Sequence, residues 1–598
     1  MHSSPPPKHG TRPARLKTAL GEDELVLVRF DATEGLSQLF QYRIEALSAK
    51  DVDYNAIIGR PCRVTIESYD NAKRSFHGIL TEAQWVGVRQ EHQVHRLLVR
   101  PWLWLLTKTS DCRFFLDKTA PDIIQEVFRD RGFNDYRLDL SENHPKREYC
   151  VQYRETDFAF VSRLMEHEGI YHYFEHTDDK HTLVLVDSMS KHRPAPGLAS
   201  VDFVPRGTPD KRRRQHIYDL VSERRFRSGK VELNDYYEIT PNADLKADKN
   251  KPGQYEKSQM ELYDYPGKYK KKNEGEHYAK VVLEAEQALD ERRHTAGEAV
   301  SLFPGCTTKL QGHHKKDENK EYLVVHCSHA YTAQLYRSGT DPGQEYSGHY
   351  ELLPKDGKVY RAPIVTPKPR IHGIQTAKVV GEKGEEIDVD EYGRIKVEFF
   401  WDRKKKQSCR IRVAEMWAGK KWGWQFIPRI GMEVVVEFLE GDPDRPLVVG
   451  SVYNGEYKHP YDLPGNKTQS GVKSRSTKDC PDGFNQIQFE DQTNAEQINM
   501  HAQKDHNVIV KHAETWKIGE KFEAPTGMPS REVTLQKGDD KLKISTGSRD
   551  TDIALMDQLK AGVLIKLECG ASKITMTPAT ISIEAPMIML KGGLIMIN

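Results

Sequence analysis

Three stretches of this 598-residue chain bring metal-ligating or acidic side chains close together. His167-Glu168-Gly169-Ile170-Tyr171-His172 offers the ligand types of an H-E-x-x-H zinc site, but its second His falls one residue late. Both imidazoles must share a helical face at i and i+4. Gly169 is also a stop residue, so the stretch predicts a helix end followed by a strand. Cys306, His313, His314, His326, Cys327 and His329 match no compact zinc spacing, and neighbours in a strand point to opposite faces. Asp388-Val389-Asp390-Glu391-Tyr392-Gly393 opens like a calcium loop, yet Tyr392 holds the fifth position and Phe399 the twelfth, where a bidentate Glu is required. A hairpin turn is the expectation there. There is no G-x-S-x-G, no P-loop and no G-x-G-x-x-G at a strand–helix junction. In a chain with 30% charged residues no carboxylate pair stands out as a glycosidase dyad. No catalytic residue, metal site or cofactor is expected.

Trp417, Trp422 and Trp424 beside Lys420 and Lys421, with Arg403-Lys404-Lys405-Lys406 nearby, are the ingredients of a nucleic-acid stacking platform. The preferred expectation is that the indoles pack at a domain or subunit interface while the charges face water. The runs Lys211 to Arg214 and Lys270 to Lys272 read as solvated loops or contacts with neighbouring machinery. Lys+Arg number 89 and Asp+Glu 88, so nothing global favours nucleic acid or an anionic membrane, and no nucleic-acid partner is expected.

The elements that position these residues are mainly strands. Ile395, Val397 and Phe399, then Ile411 and Val413, then Met432, Val434, Val436 and Phe438 alternate with the period of half-buried strands. Turns at Tyr392-Gly393, at Ile430-Gly431 and from Gly441 to Pro446 punctuate them, and Leu447-Val448-Val449 follows. Short strands at this spacing predict a small closed barrel of the five-stranded oligonucleotide/oligosaccharide-binding (OB) type over 375–458.

The same segment carries D-x-x-G-R-I-K-V (Asp390 to Val397), F-x-W-D (Phe399 to Asp402), W-A-G-x-x-W-G (Trp417 to Gly423), I-P-R-I-G-x-E-V (Ile427 to Val434) and G-D-P-D-R-P (Gly441 to Pro446). Through these it resembles the OB-fold of VgrG proteins, the trimeric spikes of bacterial type VI secretion systems. Gly393, Trp401, Asp402, Trp417, Trp422, Trp424 and Gly431 are the motif positions. One departure is Phe400, where a Pro before Trp-Asp is expected.

At this length several domains are needed. A mean hydropathy of −0.70 and the lack of an 18-residue apolar run speak against a helical membrane span. The first twenty residues are basic and proline-rich without an apolar h-region, so synthesis in the cytoplasm is expected, and residues 1–19 read as a flexible tail. The eight Cys are scattered, as expected of reduced thiols. Apolar alternation at Leu25 to Val28, Phe40/Tyr42/Ile44, Val64/Ile66, Phe76/Leu80 and Val94/Leu98 predicts a first barrel. Helices are predicted after Thr119 and after Thr156, ending near Gly132 and at Gly169, and over Glu276 to Arg292. Thr119 to Phe133 and Glu155 to His176 again resemble VgrG, in the part related to contractile phage baseplate hubs. That resemblance covers 20–370 and implies a two-barrel base. Tyr360 to Gly373, rich in Pro, reads as a stiff linker.

Between Gly455 and Asn485 only roughly thirty residues intervene, fewer than the ~50 of a domain, so no lysozyme domain fits there. After a linker over 459–484, short alternating pairs follow at Ile487/Phe489, Val508/Val510, Val533/Leu535, Leu542/Ile544, Val563/Ile565/Leu567, Ile574/Met576 and Ile581/Ile583. One thin layer cannot bury such a face, and intertwining with identical chains can. The expectation for 485–598 is a trimeric β-helical needle with Val563, Ile565, Leu567, Ile574, Met576, Ile581 and Ile583 in its core. The chain stopping at Asn598 agrees with a spike that carries no enzyme after the needle.

What the VgrG resemblance implies is a homotrimer whose base docks on the Hcp hexamer among baseplate components. It also implies a PAAR-type tip protein seated on Leu594, Ile595, Met596, Ile597 and Asn598, with effectors and adaptors carried along. Such a protein is secreted or injected without a signal peptide and punctures a target membrane. The expected fold class is mainly β and multidomain: a phage-hub-like double-barrel base with a few helices, an OB barrel and a C-terminal needle. A contractile phage tail spike and a cell-wall or glycan enzyme using the barrel are the alternatives.

Overall fold

In the computed structural model, which describes residues 9, 12–89, 91–208, 214–333, 346–521, 524 and 526–596, most alternating runs become antiparallel ladders. The chain divides into a unit over 1–503 and a unit over 504–598.

Within the first unit, Val26–Gly35, Gln41–Ser48, His92–Arg100, Lys73–Arg89, Pro61–Glu67 and Ala14–Thr18 lie side by side in that order as a half-barrel. Phe30, Phe40, Tyr42, Phe76 and Leu80 fill its concave side. A second barrel is closed. Its six strands run Cys306–Gln311, Ser200–Phe203, His216–Arg224, Glu291–Gly297, Tyr346–Pro354 and Glu321–Thr332, and the last pairs back with the first. Glu321–Thr332 also pairs with Val26–Gly35, which joins the two barrels through one shared ladder.

Two expectations are corrected here. Residues 14–18 are not tail: Ala14 and Leu16 are buried and the strand pairs with Pro61–Glu67. The buried His9 fixes this strand, because its Nε2 accepts the backbone N–H groups of Leu16 (3.0 Å) and Leu27 (3.2 Å). In His92–Arg100 the residues in the half-barrel core are Leu97 and Val99, while the buried Val94 lies on the other face with the half-buried Leu98.

Helix α1 (Ala120–Asp130) starts in a capping box of Thr119 and Asp122. Helix α2 (Asp157–Glu168) is capped by Thr156, which accepts Ala159 N–H, and ends at Gly169, whose φ of 72° suits a residue without Cβ. Helix α3 spans Lys272–Gln287, earlier than expected, because Glu291–Gly297 is already a barrel strand.

The OB sheet orders as Lys396–Phe399, Gln375–Val380, Glu433–Phe438, Pro446–Val452. Ile411 and Val413 make single bridges to Ile395 and Val448 rather than a full fifth strand, and so close the ring. Next, Gln469–Lys473, within the span expected as linker, pairs with Gln486–Glu490, which pairs with Gln497–His501.

The second unit holds an antiparallel meander of Ile565–Cys569, Ser572–Met576 and Ile581–Glu584. Val508/Val510, Val533/Leu535 and Leu542/Ile544 are not in strands. A strand needs ladder partners, and the described residues of this single chain supply none for them.

Candidate functional site: the collar, its joint and the apolar meander

The OB motif residues divide between scaffold and surface. Gly393 closes a turn by donating its N–H to the Asp390 carbonyl (3.0 Å), and the Asp390 carboxylate accepts the N–H groups of Tyr392 and Arg394. Asp388 pairs with Arg410 at 2.5 Å. Among the described residues the calcium-like acids are thus committed to a turn and an ion pair. Trp401 donates its indole N–H to Gln375 (3.0 Å) and stacks on Phe399. Asp402 is buried and accepts the N–H groups of Lys404 and Lys406, folding the basic run into a turn. Gly431 donates to the Val379 carbonyl (2.9 Å). Phe400, at the departure from the family pattern, is exposed.

Trp417 and Trp422 sit on a two-stranded hairpin, Ala418–Gly419 with Trp422–Gly423, and Trp424 follows it. They are exposed, not packed at an interface within this chain. Gly423 has φ 133°, and a Cβ there would lie 2.2 Å from the Trp417 carbonyl oxygen, so only glycine closes the hairpin.

The collar and the base share one core. Phe114, Tyr149 and Val151 of the base pack with Ala377, Val379, Ile395, Val397, Phe399, Val434 and Val436 of the OB barrel. Polar contacts ring this core. The G-D-P-D-R-P turn is its polar lock: Asp442 and Asp444 each lie 2.6 Å from Lys368 Nζ, and Asp444 accepts the Val151 N–H at 2.6 Å. Burial disfavours the Lys368 charge, but Asp444 and Asp442 outweigh it and raise its pKa; burial likewise opposes the Asp442 charge, and Lys368 holds that carboxyl low. Arg403 reaches Asp111 (2.7 Å), and Gln375 donates to the Tyr153 hydroxyl (2.8 Å).

The proline-rich segment before the collar is a docked strap rather than a free spacer. Tyr360 and Ala362 are in a buried cluster. Arg361 is buried, donating to the carbonyls of Gly169 (2.7 Å) and Asp187 and to Glu142 and Glu284 (2.8 Å each). Sequence reasoning missed Lys368 and Arg361; the same stretch also carries the exposed Arg370, so its cations gave no signal that singled these two out.

Several of the reactive residue types singled out above sit in structural contacts. His167 and Glu168 end α2, and His172 is on Tyr171–His176. Glu168 instead holds His144 (3.1 Å) and Arg147 (2.6 Å). Burial opposes protonation of His144, but Asp187 and Glu168 push its pKa to about 9. Cys306 and Cys327 are buried in the closed-barrel core, and His329 bonds the Tyr346 hydroxyl. Among the described residues, no group of three or more His, Cys, Asp or Glu is placed to hold a metal ion. Of the basic runs, Lys211, Arg212 and Arg213 lie outside the described residues.

In the second unit the meander gathers six of the seven expected needle-core residues on one face. Ile565 faces Met576, which faces Ile581; Leu567 faces Ile574, which faces Ile583. Lys573 and Glu584 pair on the other face at 2.7 Å. Val563 precedes the ladder. Among the described residues of this unit, Leu567, Ile581 and Ile583 on this face are exposed, while Ile565, Ile574 and Met576 are half-buried. Leu594, Ile595 and Met596 are exposed outside any strand, while Ile597 and Asn598 lie outside the described residues.

These features align with known families. Residues 33–335 match the phage tail baseplate hub family, 376–453 the type VI secretion system/phage-baseplate injector OB domain, and 470–569 the bacteriophage T4 gp5 C-terminal trimerisation domain. The spike protein VgrG1b of Pseudomonas aeruginosa is 44% identical over 516 residues, covering 85% of this chain and 69% of that protein. VgrG1a of the same organism is 39% identical over 576 residues, covering 94% and 89%. The E. coli c3393 protein, a type VI secretion component, has a similar fold with a TM-score of 0.53 at 19% identity, over 72% of this chain and 97% of that one. With hub, collar and trimerisation segment in this order and identities of this size along most of its length, the chain belongs to the VgrG family of type VI secretion system spike proteins.

Proposed function

We propose that the chain works as a homotrimer that transmits force and has no enzymatic role of its own. The observation that carries this reading is the apolar face of the 565–584 meander, six aliphatic and thioether side chains on one layer, of which Leu567, Ile581 and Ile583 are exposed. A single layer leaves them in water; three copies turned inward bury them. The trimerisation-domain match over 470–569 supports the same assembly. The collar, sharing its core with the base, is suited to passing an axial load without hinging.

In this reading the base caps the Hcp tube within the baseplate, and the apolar end from Leu594 to Asn598 seats a PAAR-type tip protein. Effectors and their adaptors travel with the spike. It is held in the cytoplasm before firing, then leaves the cell and punctures the target membrane. The test is the solution mass by light scattering together with co-purification of an Hcp-type tube protein. Three times the 68.7 kDa chain mass, with tube protein retained, agrees with the proposal. A stable monomer overturns it.

A further inference from the structure

The hairpin at Met416 to Phe426 is built as an aromatic prong whose side chains stay exposed. Met416, Trp417, Trp422, Trp424 and Phe426 are between 45% and 78% exposed. Their rings are nevertheless ordered against one another, Trp417 on Trp422 at 4.9 Å and Trp424 on Phe426 at 5.5 Å. The backbone is pinned as well. Trp424 donates to the Trp417 carbonyl and Phe426 to the Glu415 carboxylate, both at 2.9 Å. Pre-ordered Trp, Phe and Met side chains are the residue types concentrated at protein interfaces, where rigid anchors lose little entropy on docking.

Its exposed apolar area is on the order of 500 Å2, the size at which a patch marks an interaction site. That is less than the roughly 800 Å2 each partner contributes to a stable pair, so the prong is one part of a larger contact. The chain itself indicates which. Three residues after Phe426, Arg429 donates to the carbonyls of Arg475 (2.7 Å) and Ser476 (3.5 Å), at the start of the segment that matches the trimerisation domain. The strands that follow there expose Val472, Ile487, Phe489, Ile498 and Met500.

We infer that the Met416–Phe426 prong seats on a second copy of this chain, extending the trimer contact from the 470–569 segment up to the OB collar. This rests on the homotrimer proposed above. Lys420 and Lys421, at the hairpin turn, then lie at the rim of the contact, where charge costs little desolvation.

The test uses the full chain with Trp422→p-benzoylphenylalanine, co-expressed in two differently tagged copies and irradiated after purification. The expected result is a denaturation-resistant product of twice the chain mass carrying both tags, with at least a tenfold higher yield than the same photoreactive residue gives at Asp178, an exposed site of the base. Hydroxyl-radical footprinting of the unmodified protein supplies a second readout, with Trp417, Trp422 and Trp424 oxidised at least several-fold less than in urea-unfolded chain. A trimer by light scattering that yields no two-tag product and shows unprotected indoles overturns the inference and leaves the trimer standing. A monomer overturns both. Protection of the indoles only when oligo-dT is added overturns it in favour of a nucleic-acid platform.

Discussion

Lys368 Nζ lies 2.6 Å from the Asp444 carboxylate, and the same carboxylate accepts the Val151 N–H, so one turn of the collar grips both the strap and the base. A buried ion pair with this geometry gives little net stability against an apolar substitute, but losing one partner strands the other. The pair therefore fixes the angle of the joint more than it strengthens it.

Asp444→Ala is expected to cost about 3 kcal/mol at the joint, because the Val151 amide loses its acceptor and the half-buried Lys368 loses one of its two carboxylates. Hydrogen exchange should show faster exchange at Val151 and Ile371, with the trimer mass unchanged. Wild-type protection in the variant removes the joint's polar lock from the account.

Acid should loosen the base through its buried histidines. His172 is buried, neither ring nitrogen has a hydrogen-bond partner among the described residues, and burial lowers its pKa to about 4. The folded state thus binds its proton later than the unfolded chain does. Stability is full above the ordinary pKa near 6.5 and falls as the pH drops toward 4. His172→Phe, set against Phe174, should lose about 2 kcal/mol less between pH 7.5 and pH 5 than wild type. Urea midpoints at the two pH values read this out, and identical losses count against the assignment.

Ile565→Asp and Ile583→Asp should each dissociate the needle, since three carboxylates would meet in a desolvated core without counter-charges. Sedimentation velocity decides it. An intact trimer in both variants means that this face of the meander does not line the shared core.

Deleting Leu594 to Asn598 should leave the trimer mass unaltered and abolish co-purification of the tip protein, because Leu594, Ile595 and Met596 contribute no strand to the meander. Retained binding places the tip's seat elsewhere.

Alternation and turn chemistry were enough to read the OB barrel, the half-barrel strands and both Thr-capped helices, because these signals are local: period two, an N-cap hydroxyl, a Gly with positive φ. The face shared by Ile565, Leu567, Ile574, Met576, Ile581 and Ile583 was legible for the same reason. Other features needed partners distant in sequence. Ala14–Thr18 becomes a strand only because Pro61–Glu67 and His9 satisfy its backbone, and a basic, proline-rich context hid its three-residue alternation. The Tyr360–Gly373 segment reads as a spacer until Glu142, Glu284, Asp442 and Asp444, up to 219 residues away, draw Arg361 and Lys368 inward. Whether the three indoles are buried or exposed was likewise beyond the pattern, since a Trp-rich string serves a core and an interface equally well. The sequence by itself determined which segments alternate and where they turn, which is local stereochemistry; the tertiary structure decided which charges are paired and which apolar faces this chain leaves uncovered, because burial depends on neighbours brought together across the whole fold.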